Sequence, residues 1–318
     1  MSKILITGST GFVGKSLIPA LLKAGHTIRC AVSKKNAALN AEQIIIDRLE
    51  RQKDWSQALE GIDVVIHLAA RVHIMQEKAE DALNKYCEVN SLATQNLAQQ
   101  AAEHQVKRFI FLSSIKVNGE FTVKGSPFTE ESVTQPEDPY GQSKLYAEQY
   151  LQTISQSTNM EVVILRTPLI YGAGVKANFL KMIQLVNKGF PLPFAQVHNK
   201  RSFVYIDNLI SAINVVIAAP QAANQLYLVA DDEALSLPQL LGLISAAMNK
   251  QQRLFSVPVN LMAFFFKICG LKHLNIRLLG SLEINNLKIK SELGWVPPVT
   301  SRDGLAKTVE WYQRDIKQ

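Results

Sequence analysis

The stretch KILITGSTGFVG at residues 3–14 predicts the fold of this chain. Its first half, Lys3–Thr7, is a run of aliphatic and β-branched residues that is typical of a buried strand. Its second half has the spacing G-x-x-G-x-x-G, at Gly8, Gly11 and Gly14, and leads into a helical pattern. Glycine permits a tight turn and close backbone approach to a ligand, and a helix N-terminus offers unpaired N–H groups to an anion. The stretch therefore predicts a strand–loop–helix unit that binds the pyrophosphate of a dinucleotide.

Strand-like and helix-like segments alternate outward from this unit. The predicted strands are Lys3–Thr7, Thr27–Val32, Gln43–Asp47, Asp63–His67, Arg108–Leu112 and Glu161–Arg166. The predicted helices between them are Phe12–Ala24, Asp81–His104 and Tyr140–Ser157. Strands that are apolar nearly throughout and alternate with amphipathic helices are typical of a parallel sheet covered on both faces. We therefore expect an α/β fold with a Rossmann-type, doubly wound parallel sheet.

The alternation decays after Pro168, which indicates a smaller, mixed α/β substrate-binding lobe. The predicted division is 1–168 for the dinucleotide-binding domain and 169–318 for the lobe, with parts of about 202–230 packing back on the sheet. The apolar segment Leu261–Ile268 predicts a buried helix of the lobe, and a membrane-surface contact is the alternative. No apolar run reaches the roughly 20 residues that a membrane span needs.

Composition excludes several classes of protein. The 318 residues are 47% hydrophobic and 19% charged, an ordinary globular balance that argues against disorder. The net charge of +7 favours an anionic ligand. The chain has no basic block or zinc-finger pattern that would indicate nucleic-acid binding. Three scattered cysteines support neither a metal site nor a disulfide framework. The chain opens without a basic-then-apolar leader, so we expect a cytoplasmic protein.

The end of the second predicted strand bears on cofactor choice. NAD-selective sites place Asp or Glu at this point for the ribose hydroxyls, whereas a basic residue accommodates the 2′-phosphate of NADP. Here Val32 stands at that point, followed by Ser33, Lys34 and Lys35. The sequence therefore favours NADP(H) slightly over NAD. Asp47, at the end of the third strand, is a candidate partner for the adenine amino group.

Three residues form a candidate catalytic constellation. Ser114 follows the fifth strand, and Tyr140 and Lys144 lie four residues apart on one face of a predicted helix. A tyrosine with a pKa near 10 is a poor base at neutral pH, and a nearby cation brings that pKa toward the working range. We therefore expect Tyr140 to be the general acid/base, Lys144 to lower its pKa, and Ser114 to hydrogen-bond the substrate oxygen.

These motifs and their order resemble the extended short-chain dehydrogenase/reductase family, in its branch of NAD(P)-dependent nucleotide-sugar epimerases and dehydratases. The resemblance covers nearly the whole chain. Its marks are TGSTGFVG at 7–14, HLAA at 67–70, Asn90, FLSSIKVNG at 111–119, YGQSK at 140–144, LRTPLIYGAG at 165–174, RSFVYIDN at 201–208 and LGWVPP at 293–298.

The resemblance implies roles for individual positions. It implies cofactor contacts from the glycine loop, from the HLAA segment and from single residues beyond them. These residues are Gly8, Thr10, Gly11, Phe12, Val13, Gly14, Leu68, Ala69, Ala70, Asn90, Tyr140, Lys144 and Pro168. The substrate contacts that it implies are Asn178, Arg201 and, for the nucleoside, Arg277. Arg71 and His73, just after HLAA, are further candidates for the sugar or the phosphates.

The chain departs from the dehydratases at one informative position. Their catalytic hydroxyl residue is followed by an Asp-Glu pair, whereas Ser114 is followed by Ile115 and Lys116. A lysine cannot replace the carboxylate that serves water elimination, so dehydration is disfavoured. Lys116 and Asn118 then become candidates for setting the substrate.

The resemblance implies hydride chemistry at C4 of a UDP-hexose or UDP-N-acetylhexosamine, and three alternatives stay open. A 4-ketoreductase of polysaccharide (O-antigen) sugar biosynthesis that uses NADPH is slightly favoured. A UDP-glucose or UDP-N-acetylglucosamine 4-epimerase with tightly bound NAD is the second, and a non-catalytic NADP(H)-binding regulatory protein is the third. Family members often pair as homodimers, and the helices expected to do so here are Asp81–His104 and Tyr140–Ser157.

Overall fold

The structure, a computed structural model, describes residues 1–47, 49, 53–72 and 79–315. Within these ranges seven parallel strands form one sheet in the order β3-β2-β1-β4-β5-β6-β9, and β7 and β8 form a separate parallel pair. The strands are β1 (Lys3–Thr7), β2 (Thr27–Val32), β3 (Glu42–Ile45), β4 (Val64–His67), β5 (Arg108–Ser114), β6 (Glu161–Thr167), β7 (Leu169–Tyr171), β8 (Phe203–Tyr205) and β9 (Leu226–Leu228). The order reverses beside β1, which confirms the predicted doubly wound fold.

Helices cover both faces of the large sheet and build the second lobe. They are α1 (Phe12–Lys23), α2 (Ser56–Leu59), α3 (Ala79–Cys87), α4 (Ala93–Glu103), α5 (Pro139–Ser157), α6 (Ala177–Lys188), α7 (Ile206–Ala218), α8 (Leu237–Ala247), α9 (Val259–Ile268), α10 (Lys272–Leu279), α11 (Leu287–Leu293) and α12 (Ser301–Asp315). A π-helical segment, Glu88–Leu92, joins α3 to α4, so the predicted helix over Asp81–His104 is interrupted.

The strand pleat divides the core into two apolar clusters. Ile4 and Ile6 of β1 pack into the cluster that contains α1 and α7, whereas Leu5 packs into the opposite cluster with α4 and α5. Successive strand side chains point to opposite faces, so an apolar strand buries both faces at once. The last strand, β9, comes from beyond residue 200 and pairs with β6.

Parallel strands place all their carboxyl ends at one edge of the sheet, and ligands of open α/β sheets bind in the crevice outside that edge. The chain leaves this edge at Gly8, Ser33, Leu68, Ile115 and Pro168. The sheet therefore gathers the glycine loop, the HLAA loop and the serine of the candidate constellation into one place.

Helix α9 corrects one prediction. The segment Leu261–Ile268 was expected to be buried, but Leu261, Phe264, Phe265 and Ile268 are 56%, 61%, 61% and 67% exposed. Only Met262 of this helix is fully buried. The helix is apolar on both sides, and a sequence pattern does not say which side the lobe covers.

Candidate active site

The glycine loop leaves no room for side chains at two of its three glycines. Gly8 has φ +70°, and a Cβ there would lie 2.7 Å from the backbone nitrogen of Ala69. A Cβ on Gly14 would lie 2.5 Å from the carbonyl oxygen of Gly8. The loop is thus pressed against the HLAA segment and the start of α1, and glycine is the residue that this packing allows.

The N-terminus of α1 faces the same loop. Gly11 precedes the helix, and no side chain of the described residues caps it. The Gly11 N–H donates to the Gly8 carbonyl at 2.9 Å and closes the turn. Uncapped N–H groups and the positive end of the helix dipole suit an anion. The loop of Gly8, Thr10, Gly11, Phe12, Val13 and Gly14 therefore fits a dinucleotide pyrophosphate, and its individual contacts stay predictions.

The packing at Gly8 predicts a large difference between two glycines with similar backbone angles. Gly61 has φ +67°, but no atom lies within 4 Å of the point where a Cβ would stand. Gly8→Ala should therefore destabilise the fold by about 2 kcal/mol more than Gly61→Ala. Thermal unfolding of both variants measures the difference. Equal destabilisation would mean that the loop yields to a side chain and does not need glycine at position 8.

The end of β2 carries no acid. Ser33, Lys34 and Lys35 are exposed after the buried Val32, and Asp47 is exposed beyond the end of β3. The structure therefore leaves both lysines accessible to a ligand at this edge. Their role in cofactor choice, and that of Asp47, stay predictions.

The HLAA loop is fixed from beneath by His67. Its Nδ1 lies 2.7 Å from the Thr7 hydroxyl, and its Nε2 lies 2.9 Å from the Thr94 hydroxyl. Burial, with a smaller contribution from the Lys144 charge, lowers the pKa of His67 to about 3. The imidazole is therefore neutral, and it supports the partly exposed Leu68, Ala69 and Ala70 through Thr7, whose hydroxyl accepts from the Ala69 N–H at 3.3 Å.

The π-helical segment positions Asn90 under the next stretch of this loop. The Asn90 side chain accepts from the Arg71 N–H at 2.7 Å and donates to the Arg71 carbonyl at 3.0 Å. It also donates to the Ser143 hydroxyl at 3.0 Å. Asn90 thus ties Arg71 to the helix of Tyr140, and π-helical turns are frequent at functional sites. His73 lies outside the described residues.

The candidate catalytic residues meet where α5 approaches the turn after β5. Asp138 accepts from the Gly141 N–H at 2.7 Å and caps α5 just before Tyr140. A Cβ on Gly141 would lie 2.7 Å from the Lys116 carbonyl oxygen, so the helix start touches that turn. The structure brings Ser114 within hydrogen-bond reach of the Tyr140 phenol, one of the contributions to its pKa.

The pKa of Tyr140 differs from the one predicted. Burial is the largest cause that raises the pKa of Tyr140, to about 12, and the Asp138 charge adds to it, while the hydrogen bond with Ser114 opposes it. The predicted lowering of the Tyr140 pKa is therefore not found in the chain alone, because burial and the Asp138 charge outweigh the Ser114 hydrogen bond. A phenol in this state keeps its proton at neutral pH and can donate it to a substrate oxygen.

Lys144 is buried and held by the protein. Its ammonium donates to the Leu112 carbonyl at 2.9 Å and lies 4.3 Å from the centre of the Phe111 ring. Burial lowers the pKa of Lys144 to about 7, and the Glu148 carboxylate opposes that shift. A small change in local charge therefore changes how much of the positive charge is present at neutral pH.

This pKa predicts a pH-dependent effect of Lys144→Met on stability. The unfolded pKa, about 10.4, lies above the folded one, so the charged ammonium destabilises the fold most below about pH 7. That cost disappears as the pH rises through both values. Lys144→Met should therefore gain stability relative to the parent at about pH 6, and the gain should fall by more than about 1 kcal/mol by about pH 10.

The measurement is thermal or denaturant unfolding at the two pH values. Lost packing at position 144 is the same at both, so their difference reports titration. Lys23→Met, at an exposed lysine in the last turn of α1, is the control for loss of one positive charge. A pH-independent effect of Lys144→Met would contradict the lowered pKa.

A buried ionic network around Glu148, which lies outside the sequence motifs, supports the constellation. Glu148 accepts from Arg166 Nη2 at 2.5 Å and from the Ser113 hydroxyl at 2.5 Å. Arg166 Nη1 donates to the Asn118 side-chain oxygen at 3.0 Å. The side chains of Glu148 and Arg166 are 2% and 4% exposed. Glu148 follows Lys144 by four residues on α5, and this spacing, which puts both on one face of the helix, was the sequence signal that could have indicated its role.

The contacts of two predicted substrate residues are mainly with the protein. Asn118 is buried and also donates to the Ser132 carbonyl at 3.3 Å. Lys116 forms ion pairs with Glu120, at 2.6 Å, and with Asp138. Asn118 therefore lies beneath the site, and Lys116 at its side is charge-balanced.

Arginines from the second lobe form a positive group on the side of the site where Lys116 pairs with Glu120. Arg201 donates through Nη1 to the carbonyls of Ile276 and Gly280, both at 3.1 Å. Burial lowers the pKa of Arg201 to about 10, with Glu120 opposing and Arg277 adding to the effect. These interactions place Arg201, Arg277 and Glu120 close together. Asn178 is exposed in the first turn of α6, and Pro168 is buried after β6.

Arg71 also lies near the tyrosine. Its guanidinium carbon is 5.8 Å from the centre of the Tyr86 ring, and that ring is 6.2 Å from the Tyr140 ring. The structure thus brings together Ser114, Tyr140, Lys144, Lys116 and Arg71 at one edge of the sheet.

A parallel sheet with a glycine loop at its switch point and a Ser, Tyr-x-x-x-Lys group beside it defines an oxidoreductase-type enzyme of the extended short-chain dehydrogenase/reductase class. The model of the NAD dependent epimerase/dehydratase family matches residues 4–230. The chain belongs to this family, as its sequence motifs predict.

Individual relatives agree with this assignment. The chain is 42% identical over 311 residues to the UDP-glucose 4-epimerase of Vibrio cholerae, and the match covers 96% of this chain and 94% of that protein. It is 25% identical over 345 residues to the dTDP-glucose 4,6-dehydratase of Haemophilus influenzae, covering 98% of each.

Solved structures share the fold. The UDP-glucuronic acid 4-epimerase from Bacillus cereus in complex with NAD superposes with a TM-score of 0.77 at 22% identity, covering 98% of this chain and 99% of that one. The UDP-glucose 4-epimerase of Thermotoga maritima with UDP-glucose has a TM-score of 0.76 at 21% identity, with the same coverage.

Proposed function

We propose that this enzyme is a 4-epimerase of UDP-hexoses that uses tightly held NAD. The observation that carries the proposal is the Ser114, Tyr140, Lys144 group beside a pyrophosphate-fitting glycine loop. The 42% identity to the Vibrio cholerae UDP-glucose 4-epimerase supports this reaction over the 4-ketoreduction that the sequence slightly favoured.

Each residue of the group has a role that its contacts permit. The Tyr140 hydroxyl exchanges a proton with the oxygen at C4, and the Ser114 hydroxyl orients that oxygen. Bound NAD would supply a hydride acceptor and donor and a positive charge. Because burial holds the pKa of Tyr140 at about 12, added positive charge is what the phenol needs to act as a base.

The surroundings of Lys116 disfavour dehydration. Elimination of water needs a carboxylate that can take a proton from the sugar, and the position two residues after Ser114 holds a lysine instead. The nearby carboxylates of Glu120 and Asp138 are both engaged by that lysine. An epimerase needs no such base, since it only removes and returns hydrogen at one carbon.

The lobe arginines fit the diphosphate of a nucleotide sugar. Arg201 is fixed by two carbonyls, and the Arg277 charge acts on it. Two neighbouring guanidiniums gain stability from an anion placed between them, and their planar forks match phosphate oxygens. Asn178 and Arg71 are proposed to contact the same substrate, and the segment 81–104, which contains most of α3 and all of α4, is proposed to pair two subunits together with α5.

An NADPH-dependent 4-ketoreductase is the second candidate. The exposed Lys34 and Lys35 after Val32 favour it, because they could accommodate a 2′-phosphate. Net reduction consumes its cofactor and needs an exchangeable one, whereas epimerisation regenerates it.

The epimerase and the ketoreductase differ in the dinucleotide that the purified protein should carry. We expect denaturation to release NAD⁺ in about one equivalent per chain, and the emptied protein to bind NADH at least as tightly as NADPH. Empty protein with a clear preference for NADPH would support the ketoreductase. No binding of either dinucleotide would contradict both.

A further inference from the structure

The exposed side of α9 is an apolar stripe that nothing in the described part of the chain covers. Leu261, Phe264, Phe265 and Ile268 follow one another at i, i+3, i+4 and i+7, and all are more than half exposed. The opposite side, with Met262, already packs against the lobe. Four large apolar side chains in one row of a helix are typical of a surface that is covered in use.

Further apolar side chains are exposed on the segment that leads into α9 and on the segment that is hydrogen-bonded to it. Phe255 donates from its N–H to the Leu192 carbonyl at 3.0 Å, four residues before α9 begins. Phe255 and Phe190, on those two adjoining segments, are 48% and 61% exposed. We call the exposed side of α9 together with Phe190 and Phe255 the α9 surface.

The segment of sequence that carries α9 and Phe255 has charge of one sign. The chain contains no Asp or Glu between Glu233 and Glu283, while the same segment contains Lys250, Arg253, Lys267, Lys272 and Arg277. Lys267 lies on α9 itself and is exposed, as is Arg253 beside Phe255. Aromatic and aliphatic side chains rimmed by cations are the combination that binds the interface of an anionic bilayer.

We propose that the α9 surface docks the enzyme on an anionic lipid membrane. The helix lies in the plane of the interface, with its phenylalanines among the acyl chains and its cations at the headgroups. It does not cross the membrane, since it has ten residues and no helix in the described ranges is long and apolar enough to do so. A membrane-surface contact, the alternative to burial for this segment, thus fits the observed exposure.

The charge argues against a second copy as the occupant. A symmetric contact would join this face to itself, so both copies would bring Lys267 and Arg253 into one interface. With no acid in the segment to balance them, like charges would oppose the pairing. An anionic lipid surface has the complementary charge.

The test is co-sedimentation of the full chain with vesicles. Phosphatidylcholine vesicles with about 30% phosphatidylglycerol should bind the protein, and pure phosphatidylcholine vesicles should bind it about tenfold less. The paired change Phe264→Ser and Phe265→Ser should weaken binding to the anionic vesicles by about tenfold or more. Lys267→Glu with Arg253→Glu should have a similar effect there and little effect on neutral vesicles.

A matched control separates docking from general stickiness. Leu287 and Val296 are 63% and 61% exposed and lie outside α9, so Leu287→Ser with Val296→Ser removes the same kind of exposed apolar surface. All variants are first shown to keep the parent melting temperature. We expect the control pair to bind anionic vesicles like the parent.

Three results would overturn the proposal. The first is a parent chain that fails to sediment with anionic vesicles, and the second is equal weakening of binding by both serine pairs. The third is self-association without lipid that Phe264→Ser and Phe265→Ser abolish, which would assign the surface to a second copy. None of these results depends on the epimerase reaction, which is measured separately with free nucleotide sugars.

Discussion

Tyr140→Phe should reduce turnover by about a hundredfold or more while leaving nucleotide-sugar binding nearly unchanged. The substitution removes only the hydroxyl that we assign to proton transfer, and the ring remains against Tyr86, 6.2 Å away centre to centre. The loss should fall on kcat rather than on KM, because the missing contact matters most in the transition state. Steady-state kinetics with a UDP-hexose, together with a binding titration, measure both quantities.

Tyr146→Phe is the matched control for this variant. Tyr146 lies on the same helix, six residues further on, and its hydroxyl accepts from Gln142 at 2.8 Å. Its loss removes one hydrogen bond outside the site, so turnover should stay within about twofold. Equal turnover in the Tyr140→Phe variant and the parent would show that another group moves the proton.

Breaking the Glu148–Arg166 pair should cost the fold about 3–5 kcal/mol. Glu148→Gln leaves the Arg166 guanidinium buried without its counter-charge. Arg166→Met likewise leaves the Glu148 carboxylate buried without a counter-charge. The free energy of unfolding from denaturant titration measures each loss. Since the pair also holds Asn118 and Ser113, beside Ser114, either variant should lower turnover as well.

The double variant and an exposed ion pair complete the test. Glu148→Leu with Arg166→Met removes both charges and should recover most of the loss, because neither member of the pair is left buried without the other. Lys107→Met breaks the exposed pair with Asp63, at 3.0 Å, and should cost less than about 1 kcal/mol. A Glu148→Gln variant no less stable than Lys107→Met would contradict the structural role of the network.

The sheet and the catalytic side chains could be predicted because their signals are local. The strand, glycine loop and helix of residues 3–23 follow one another without a break, and Tyr140 and Lys144 share a face by helical spacing alone. The predicted start of α5 is one residue late, because Pro139 occupies its first turn and Asp138 caps it.

The supporting network could not be predicted in the same way. Glu148, Arg166 and Asn118 come from a helix, a strand and a turn, and the pairing of β5 with β6 and the packing of α5 on these strands bring them together. The acidity of Tyr140 was also missed, since burial depends on the packing around the ring and not on its distance from Lys144 along the chain. Helix α9 was predicted as buried because its composition is mostly apolar, and composition does not reveal which side a lobe covers.

The central claim is tested most directly by incubating the purified enzyme with UDP-galactose deuterated at C4, with no dinucleotide added. We predict conversion to UDP-glucose with the deuterium retained at C4, because the same hydrogen leaves and returns within one active site. Tyr140→Phe should slow this conversion by about a hundredfold or more. Absence of conversion by the parent enzyme, with turnover appearing only when NADPH and a 4-ketosugar are supplied, would contradict the epimerase and assign the site to net reduction.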